Sequence, residues 1–180
     1  KYIAVESFKT DQQLFNLQCW ALTCQSFFSY VEWKWLYKKL NYKGDFEAQL
    51  QPEFLKSIDF VRSNISEKSH LLIDARSEGR FNGTIDEPRA GLRSGHIPNS
   101  INIPFGSLLE NGTYKSRAEL KKVLKVSEID DRPIVFSCGS GITACIVLLA
   151  AELVLKNDTS IYDGSWTEYG SLTNESTNYN

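Results

Sequence analysis

The segment Ile134–Leu155 constrains the fold of this chain more than any other part of its sequence. It begins with Ile134–Ser137, a β-branched and aromatic run after a proline that is typical of a buried strand. It ends with Ala144–Leu155, which is apolar on nearly every side and contains neither glycine nor proline, so it predicts a buried helix. A loop of small residues, Cys138–Thr143, joins the two.

The residue types of this loop, which we call the nucleophile loop, indicate a thiol beside an anion-binding backbone. Gly139 and Gly141 allow the chain to curl so that several N–H groups point inward. The following helix directs the positive end of its dipole at the same space. Cys138 is therefore interpreted as a reactive thiolate, with the hydroxyls of Ser140 and Thr143 as further donors. The alternative is a buried structural cysteine, with glycines that serve only the turn.

Length and composition describe an ordinary globular chain. Its 180 residues are 42% apolar and 23% charged, which fits one domain with at most a fragment of a second. The net charge of −2 gives no reason to expect nucleic acid or an acidic membrane surface as a partner. With 4 cysteines and no disulfide framework, a reducing compartment fits better. No apolar run is long enough to span a membrane.

Strand and helix patterns alternate along the chain. Pro52 occupies a first helical position, and apolar residues recur at helical spacing from Phe54 to Ile65, which predicts an amphipathic helix. Ser116 and Glu119 form a predicted capping box before another helix. Short apolar runs predict further strands at Leu71–Ile73, Ile101–Ile103 and Ser160–Tyr162. The alternation predicts an α/β fold, a parallel sheet flanked by helices on both faces, with the nucleophile loop at the carboxyl end of a strand.

Four stretches together resemble one protein family. The nucleophile loop Cys138–Thr143 is similar to the active-site loop of rhodanese-type sulfurtransferases, and most similar to their 3-mercaptopyruvate branch. The thiosulfate branch usually carries basic residues after the cysteine, and this loop has none. The other stretches match the second, catalytic domain of that family in the family's own order: Asp74–Thr84, Ser94–Phe105 and Ile161–Trp166. The resemblance implies a rhodanese-like fold.

The resemblance also implies roles for residues in a long polar loop, Asp74–Gly95. In the family, the arginines of a Gly-Arg-Phe and a Glu-Pro-Arg motif hold the substrate. These positions are Arg80 and Arg89 here, and Glu87 is the glutamate of the second motif. Two arginines suit a substrate that carries a carboxylate beside a ketone. The substrate-binding positions expected in the nucleophile loop are Gly139, Gly141 and Ile142.

Of four other polar residues, two are predicted to have structural roles and two have no predicted role. Arg76 is expected to pair with a carboxylate or with backbone carbonyls, and His96 to hold loops by hydrogen bonds. Arg93 has no matched role, and His70 is predicted to lie at the surface. The family also places a histidine and an aspartate from its first domain against the active-site serine, and no stretch of this chain matches the segment that supplies them.

Residues 1–45 are predicted to be a linker or a truncated first rhodanese-like domain, 46–172 the catalytic domain, and 173–180 a frayed tail. An amphipathic segment that packs on the core is the alternative for residues 1–45. Cys19 and Cys24 lack the further ligands of a zinc site. Because the chain begins at Lys1 and contains no methionine, a processed product or a fragment is expected, and a missing targeting peptide stays open.

The predicted activity is sulfur transfer from a small-molecule donor, 3-mercaptopyruvate, through a persulfide on Cys138 to a thiol acceptor such as thioredoxin, with release of pyruvate. No metal or organic cofactor, nucleic acid or membrane is expected to take part. The predicted location is cytoplasmic or mitochondrial. Thiosulfate as donor and a non-catalytic rhodanese binding module remain open. A cysteine phosphatase is less favoured, since it needs a loop arginine at the position that Ala144 occupies here.

Overall fold

The computed structural model of the chain describes residues 51–172. All but the first of these belong to one unit, Pro52–Asn180. The predictions for residues 1–45, with Cys19 and Cys24, and for the tail at 173–180 lie outside the described residues. Within the described range, no helix combines the length and the apolar character needed to cross a membrane.

Short strands and helices follow one another through the described residues. The strands are β1 (Leu55–Lys56), β2 (Leu71–Asp74), β3 (Ser100–Asn102), β4 (Leu109–Glu110), β5 (Thr113–Tyr114), β6 (Ile134–Ser137) and β7 (Thr159–Tyr162). The α-helices are α1 (Ile58–Glu67), α2 (Glu78–Phe81), α3 (Arg117–Val123), α4 (Ile142–Glu152) and α5 (Ser165–Leu172). Pro52–Phe54 and Phe105–Leu108 form single 3₁₀ turns.

Five strands form a parallel sheet in the order β1-β7-β6-β2-β3, and β4 pairs with β5 as a separate antiparallel hairpin. Neighbouring residues of the central strands point to opposite faces. Ile73 and Phe136 join a core that includes residues of α3 and α4. Leu72 and Val135 join a second core, with residues of α1 and α5. The predicted fold, a parallel sheet flanked by helices on both faces, is confirmed.

The sheet brings two loops together at its carboxyl edge. Asp74 of β2 stands opposite Ser137 of β6, and the N–H of Ala75 donates to the Ser137 carbonyl at 2.8 Å. The segments that continue to Arg76 and Cys138 therefore leave the sheet side by side. From β2 the chain goes to β3 on one side, and from β6 to β7 on the other. Such a reversal of strand order is where open α/β sheets bind ligands.

The prediction of a helix from Pro52 onwards is wrong at its start. Helix α1 begins at Ile58, because the Ser57 hydroxyl accepts a hydrogen bond from the N–H of Phe60 and caps it. The two residues before Ser57 pair with β7 as the edge strand β1 instead. A strand of two residues is too short to show a periodic pattern, so β1 could not be predicted from the sequence.

Other predicted elements are confirmed with small changes. The capping box of Ser116 and Glu119 is present at the start of α3. The predicted strands occur within one or two residues of their expected bounds. Inside the long loop 74–95, the residues Glu78–Phe81 form the short helix α2, which carries Arg80. The hairpin of β4 and β5 was not predicted, and its turn is made by Asn111 and Gly112, both at positive φ.

Candidate active site

The nucleophile loop is shorter than predicted. Cys138 follows β6 directly and is 2% exposed, and α4 already begins at Ile142 rather than at Ala144. Gly141 precedes the helix with φ +80°, in the left-handed region that glycine adopts without strain. Ile142 and Thr143 therefore lie in the first helical turn. Ile142 is 48% exposed, while Ser140 and Thr143 are half-buried.

The hydroxyl of Ser165, at the start of α5, holds both ends of the nucleophile loop. Ser165 Oγ accepts hydrogen bonds from the N–H of Cys138 at 3.1 Å and from that of Gly141 at 3.0 Å. The same hydroxyl donates to the carbonyl of Tyr162 at 2.9 Å. Ser165 is fully buried and lies at φ +51°, so both its position and its backbone are tightly determined. One side chain thus joins the two ends of the loop.

The carbonyls of the nucleophile loop also point at α5. The N–H of Trp166 donates to the Cys138 carbonyl at 2.9 Å, and that of Thr167 to the Gly139 carbonyl at 3.0 Å. A trans peptide directs its N–H opposite to its carbonyl. The N–H groups of Gly139 and Ser140 therefore point away from α5. Since the Gly141 N–H is bonded to Ser165, the cradle expected from 139–143 loses that donor.

Arg76 confirms its predicted structural role. Its guanidinium is buried and forms a two-point contact with Asp74, with atoms as close as 2.7 Å. It also donates to Glu87 at 2.7 Å and to the Gly95 carbonyl at 2.8 Å, and it stacks 4.7 Å from the centre of the Trp166 ring. These contacts use the fork geometry of arginine and hold the long loop against the sheet.

Arg80 lies beside the nucleophile loop and is held there by Glu87. Its Nη2 and Nε donate to the two carboxylate oxygens of Glu87 at 2.5 and 3.2 Å. A Cβ atom on Gly139 would lie 3.0 Å from Arg80 Nη2, so the missing side chain of Gly139 gives the guanidinium its place. Glu87 is 9% exposed and contacts both Arg76 and Arg80, which makes it a support for Arg80.

Arg89 reaches the same glycine from another direction. Its side chain is exposed, and Nη1 donates to Thr167 Oγ1 at 2.6 Å. The Thr167 hydroxyl in turn donates to the Gly139 carbonyl at 2.5 Å. Arg89 takes part in none of the ion pairs between described residues. Its guanidinium is instead hydrogen-bonded to the neutral hydroxyl of Thr167. Of the two arginines predicted to bind substrate, Arg80 thus lies beside Gly139, and Arg89 is connected to the Gly139 carbonyl through Thr167.

The remaining predicted residues support the walls of this region. A ring nitrogen of His96 hydrogen-bonds the Phe81 carbonyl at 2.9 Å, and the two rings stack at 3.9 Å, which confirms a loop-holding role. Arg93, which had no matched role, stacks 4.6 Å from the Trp166 ring centre, and its carbonyl accepts a hydrogen bond from the Trp166 ring N–H at 2.8 Å. His70 is half-buried rather than superficial.

Three residues of α5 hold the site, and sequence reasoning did not assign them roles. Ser165, Trp166 and Thr167 contact the nucleophile loop, and Trp166 also packs on two arginines of the long loop. Nearby, burial and then the hydrogen bond to Glu168 raise the pKa of Tyr162, so its hydroxyl remains protonated and donates at 2.7 Å. The only sequence signal was the stretch Ile161–Trp166, matched as a motif without a function for its side chains.

Comparison with known proteins identifies the family of the chain. The model of the rhodanese-like domain family matches residues 57–172. The mouse 3-mercaptopyruvate sulfurtransferase is 46% identical over 128 residues, which cover 70% of this chain and 43% of that protein. The Arabidopsis thaliana mitochondrial thiosulfate/3-mercaptopyruvate sulfurtransferase 1 is 44% identical over 126 residues, which cover 69% and 33%. The chain therefore spans less than half the length of these curated relatives.

A solved structure shows the same fold. One such structure is the crystal structure of SseA from Escherichia coli, described as showing the rhodanese fold and mechanism of 3-mercaptopyruvate sulfurtransferases. It superposes on this chain with a TM-score of 0.57 at 40% sequence identity. The match covers 69% of this chain and 46% of that one. The match of the family model to more than half of the chain, together with this fold and the loop geometry, places the protein: the chain belongs to the family of rhodanese-like domains.

Proposed function

We propose that this chain is a sulfurtransferase that takes sulfur from 3-mercaptopyruvate and releases pyruvate. The observation that carries the proposal is that Arg80 lies beside Gly139 and Arg89 is linked to Gly139 through Thr167, so both cations are placed at the residue that follows Cys138. A keto-acid donor carries a carboxylate and a ketone beside its sulfur, which matches two cations around one nucleophile. The relatives named for this donor, at 46% and 44% identity, support the assignment.

The first half of the reaction forms a persulfide. The Cys138 thiolate attacks the thiol sulfur of the donor, so a sulfur–sulfur bond forms and the carbon–sulfur bond breaks. The electron pair of the broken bond goes to the carbon fragment as the enolate of pyruvate. A proton from solvent then converts the enolate to pyruvate, and Cys138 keeps the transferred sulfur as a persulfide.

The residues around Cys138 stabilise the charge that moves in this step. Arg80 and Arg89 bind the carboxylate and the ketone oxygen, on which the enolate charge develops. In this proposal, the N–H groups of Gly139 and Ser140 and the hydroxyls of Ser140 and Thr143 donate to the reacting sulfur atoms. Glu87 acts indirectly, because its carboxylate fixes Arg80. Gly141 contributes backbone shape, and Ile142 borders the site from the first turn of α4.

The second half of the reaction returns the enzyme to its starting state. A thiolate acceptor attacks the outer sulfur of the persulfide, takes it as a new persulfide and frees the Cys138 thiolate. A small thiol or a protein thiol such as thioredoxin fits this chemistry. The relative with the word mitochondrial in its name supports a mitochondrial location, with a cytoplasmic one as the other prediction.

Thiosulfate is the second candidate donor, and one observation favours it. The Arabidopsis relative is named for both thiosulfate and 3-mercaptopyruvate, at 44% identity. Against it, residues 139–143 contain no basic side chain that would bind a second sulfonate-like charge. We therefore expect a higher kcat/KM for 3-mercaptopyruvate than for thiosulfate when both are assayed with one acceptor thiol.

The experiment is pyruvate release from 3-mercaptopyruvate with a thiol acceptor, for the 180-residue chain and for Cys138→Ser. The unsubstituted chain is expected to turn over, and the variant to show only the background rate. Cys145→Ser is the matched control, since Cys145 lies within α4 and its thiol donates to the Gly141 carbonyl at 3.3 Å. A folded chain that turns over neither this donor nor thiosulfate would instead be a binding module.

A further inference from the structure

We propose that Thr167 is a positioning residue that orders Arg89 for the carboxylate of the sulfur donor and links this arginine to the nucleophile loop. The inference rests on the proposed function, because it takes a keto-acid donor as the molecule that Arg89 binds. Thr167 lies one residue beyond the stretch Ile161–Trp166, so none of the motifs that predicted the site includes it.

The hydrogen bonds around Thr167 have only one possible direction. Arg89 Nη1 lies 2.6 Å from Thr167 Oγ1, and this oxygen lies 2.5 Å from the Gly139 carbonyl oxygen. A guanidinium can only donate and a carbonyl can only accept. The single hydroxyl proton of Thr167 therefore goes to Gly139, and its lone pair receives Arg89. The Thr167 N–H donates to the same carbonyl at 3.0 Å and fixes the residue in place.

Arg89 needs such a restraint more than Arg80 does. The Arg80 guanidinium is already held at two points by Glu87. The Arg89 side chain is exposed, and a long exposed side chain loses much rotamer freedom when a ligand fixes it. The hydrogen bond to Thr167 restricts the rotamers of Arg89 before the sulfur donor binds, so that part of this entropy cost is already met in the free protein, which is pre-organisation. Because the hydroxyl is neutral, it restrains Arg89 without neutralising the charge that a carboxylate would meet.

The same hydroxyl connects the carboxylate-binding group to the cradle. The carbonyl of Gly139 and the N–H of Ser140 belong to one planar peptide unit. Two donors from Thr167 polarise that carbonyl and so strengthen the Ser140 N–H as a donor on the opposite side. Through Thr167, one chain of hydrogen bonds runs from the carboxylate site to an amide that faces the reacting sulfur.

The test compares Thr167→Val with Thr167→Ser in the full chain. Valine keeps the shape of threonine and removes the hydroxyl, whereas serine retains it. Two donors are used, 3-mercaptopyruvate and its methyl ester, which keeps the sulfur and the ketone but lacks the charged carboxylate. Thr113→Val is the matched control, because the Thr113 hydroxyl only bonds the Glu110 carbonyl within the β4–β5 hairpin.

We expect Thr167→Val to raise KM for 3-mercaptopyruvate about tenfold, as for loss of one hydrogen bond to a charged group. The change in kcat should be much smaller, because the Thr167 N–H, which valine retains, still polarises the Gly139 carbonyl. KM for the methyl ester should stay within about twofold, since the ester lacks the carboxylate that Arg89 would bind. Thr167→Ser should restore the KM for the acid. An equal rise for acid and ester would show that Thr167 only shapes the loop, and an unchanged KM would show that its hydroxyl is idle; either result overturns the inference.

A binding measurement separates this inference from the proposed function. If the unsubstituted chain releases no pyruvate, the proposed function fails, and calorimetric titration with pyruvate itself then decides the role of Thr167 without turnover. Weaker binding of pyruvate by Thr167→Val than by Thr167→Ser supports the inference. Equal binding by the two variants, or no binding by the unsubstituted chain, overturns it.

Discussion

Gly141 combines a backbone requirement with a lack of space at one position of the nucleophile loop. Its φ of +80° lies in the left-handed region, and a Cβ there would lie 2.6 Å from Asp163 Oδ1 and 2.9 Å from the Asp163 carbonyl oxygen. Gly112, in the turn of the β4–β5 hairpin, has nearly the same φ of +79° but has open space around it. Comparing substitutions at these two glycines therefore distinguishes the cost of backbone strain from the cost of a steric clash.

Gly141→Ala is expected to lower the free energy of unfolding by more than the ~1–2 kcal/mol of left-handed strain alone, because the added methyl also displaces the chain at Asp163. It should also lower the rate of pyruvate release, since the loop that carries Cys138 must move. Urea unfolding and initial rates measure the two effects. Gly112→Ala is the control, which should lose only the stability due to left-handed backbone strain and should leave the rate of pyruvate release unchanged. Equal losses in both variants would contradict this account of Gly141.

At the residue scale, local chemistry predicted some site residues and could not predict others. The thiol of Cys138 and the arginines at 80 and 89 could be proposed because their types and neighbours carry a chemical meaning. Ser165 and Thr167 could not, because their partners in the nucleophile loop and at Arg89 lie 24 to 78 residues away in the sequence. A serine or threonine before a helix is also an ordinary cap, so residue type alone does not separate the two roles.

At the scale of elements, the start of α5 matters more than its length suggests. Its first three residues supply two hydroxyls and two backbone N–H groups to the nucleophile loop. A helix N-terminus has unpaired N–H groups to offer, and here loop carbonyls take them. The helix is anchored in turn by Trp166, which is fully buried between the sheet and two arginines. The loop geometry thus depends on an element that follows it by more than twenty residues.

Ser165→Ala tests this dependence. Two buried N–H groups, of Cys138 and Gly141, would lose their shared acceptor, which is expected to lower stability by about 2 kcal/mol. The fall in pyruvate release should appear in kcat more than in KM, because the nucleophile is misplaced while Arg80 and Arg89 remain. Chemical denaturation and steady-state rates are the measurements. Ser171 is an exposed serine on the same helix, and Ser171→Ala should change neither quantity by much. Comparable losses in that variant would contradict the role of Ser165 in holding the loop.

The elements that the sequence predicted correctly carry their own local signal. The capping box at Ser116 and Glu119 is set by side chains three residues apart, so the start of α3 could be predicted. The start of α1 could not, because Pro52 was an equally good local signal and the sheet edge decided against it. There, pairing of Leu55 and Lys56 with β7 competes with helix formation and prevails.

At the scale of the whole molecule, the order of strands explains why a dispersed set of residues forms one site. The loop after β2 brings the two arginines, the loop after β6 brings Cys138, and the chain after β7 brings α5. All three leave the carboxyl edge of the same parallel sheet. The alternation of strands and helices predicted this edge. The strand order could be read only from the structure, since short strands do not specify their neighbours by their own sequence.

The stability of the whole domain is expected to depend on pH through His70. Partial burial and then the nearby Lys56 charge lower the pKa of His70 from its ordinary value of 6.5. The unfolded chain therefore binds the proton more readily, so the free energy of unfolding should decrease as pH falls through about 6.5 towards 5. Denaturation midpoints across this range measure the effect. His70→Gln should flatten the decrease, and an unchanged slope in that variant would assign it to other groups.

The most direct test of the central claim is the mass of the chain after exposure to 3-mercaptopyruvate and removal of the donor, with no acceptor thiol present. The account predicts a gain of one sulfur atom, located by peptide mapping on Cys138, and its loss when a thiol acceptor such as thioredoxin is added. Cys138→Ser should gain none. A chain that acquires no sulfur, or that carries it on Cys145 instead, would contradict the assignment of Cys138 as the sulfur-carrying nucleophile.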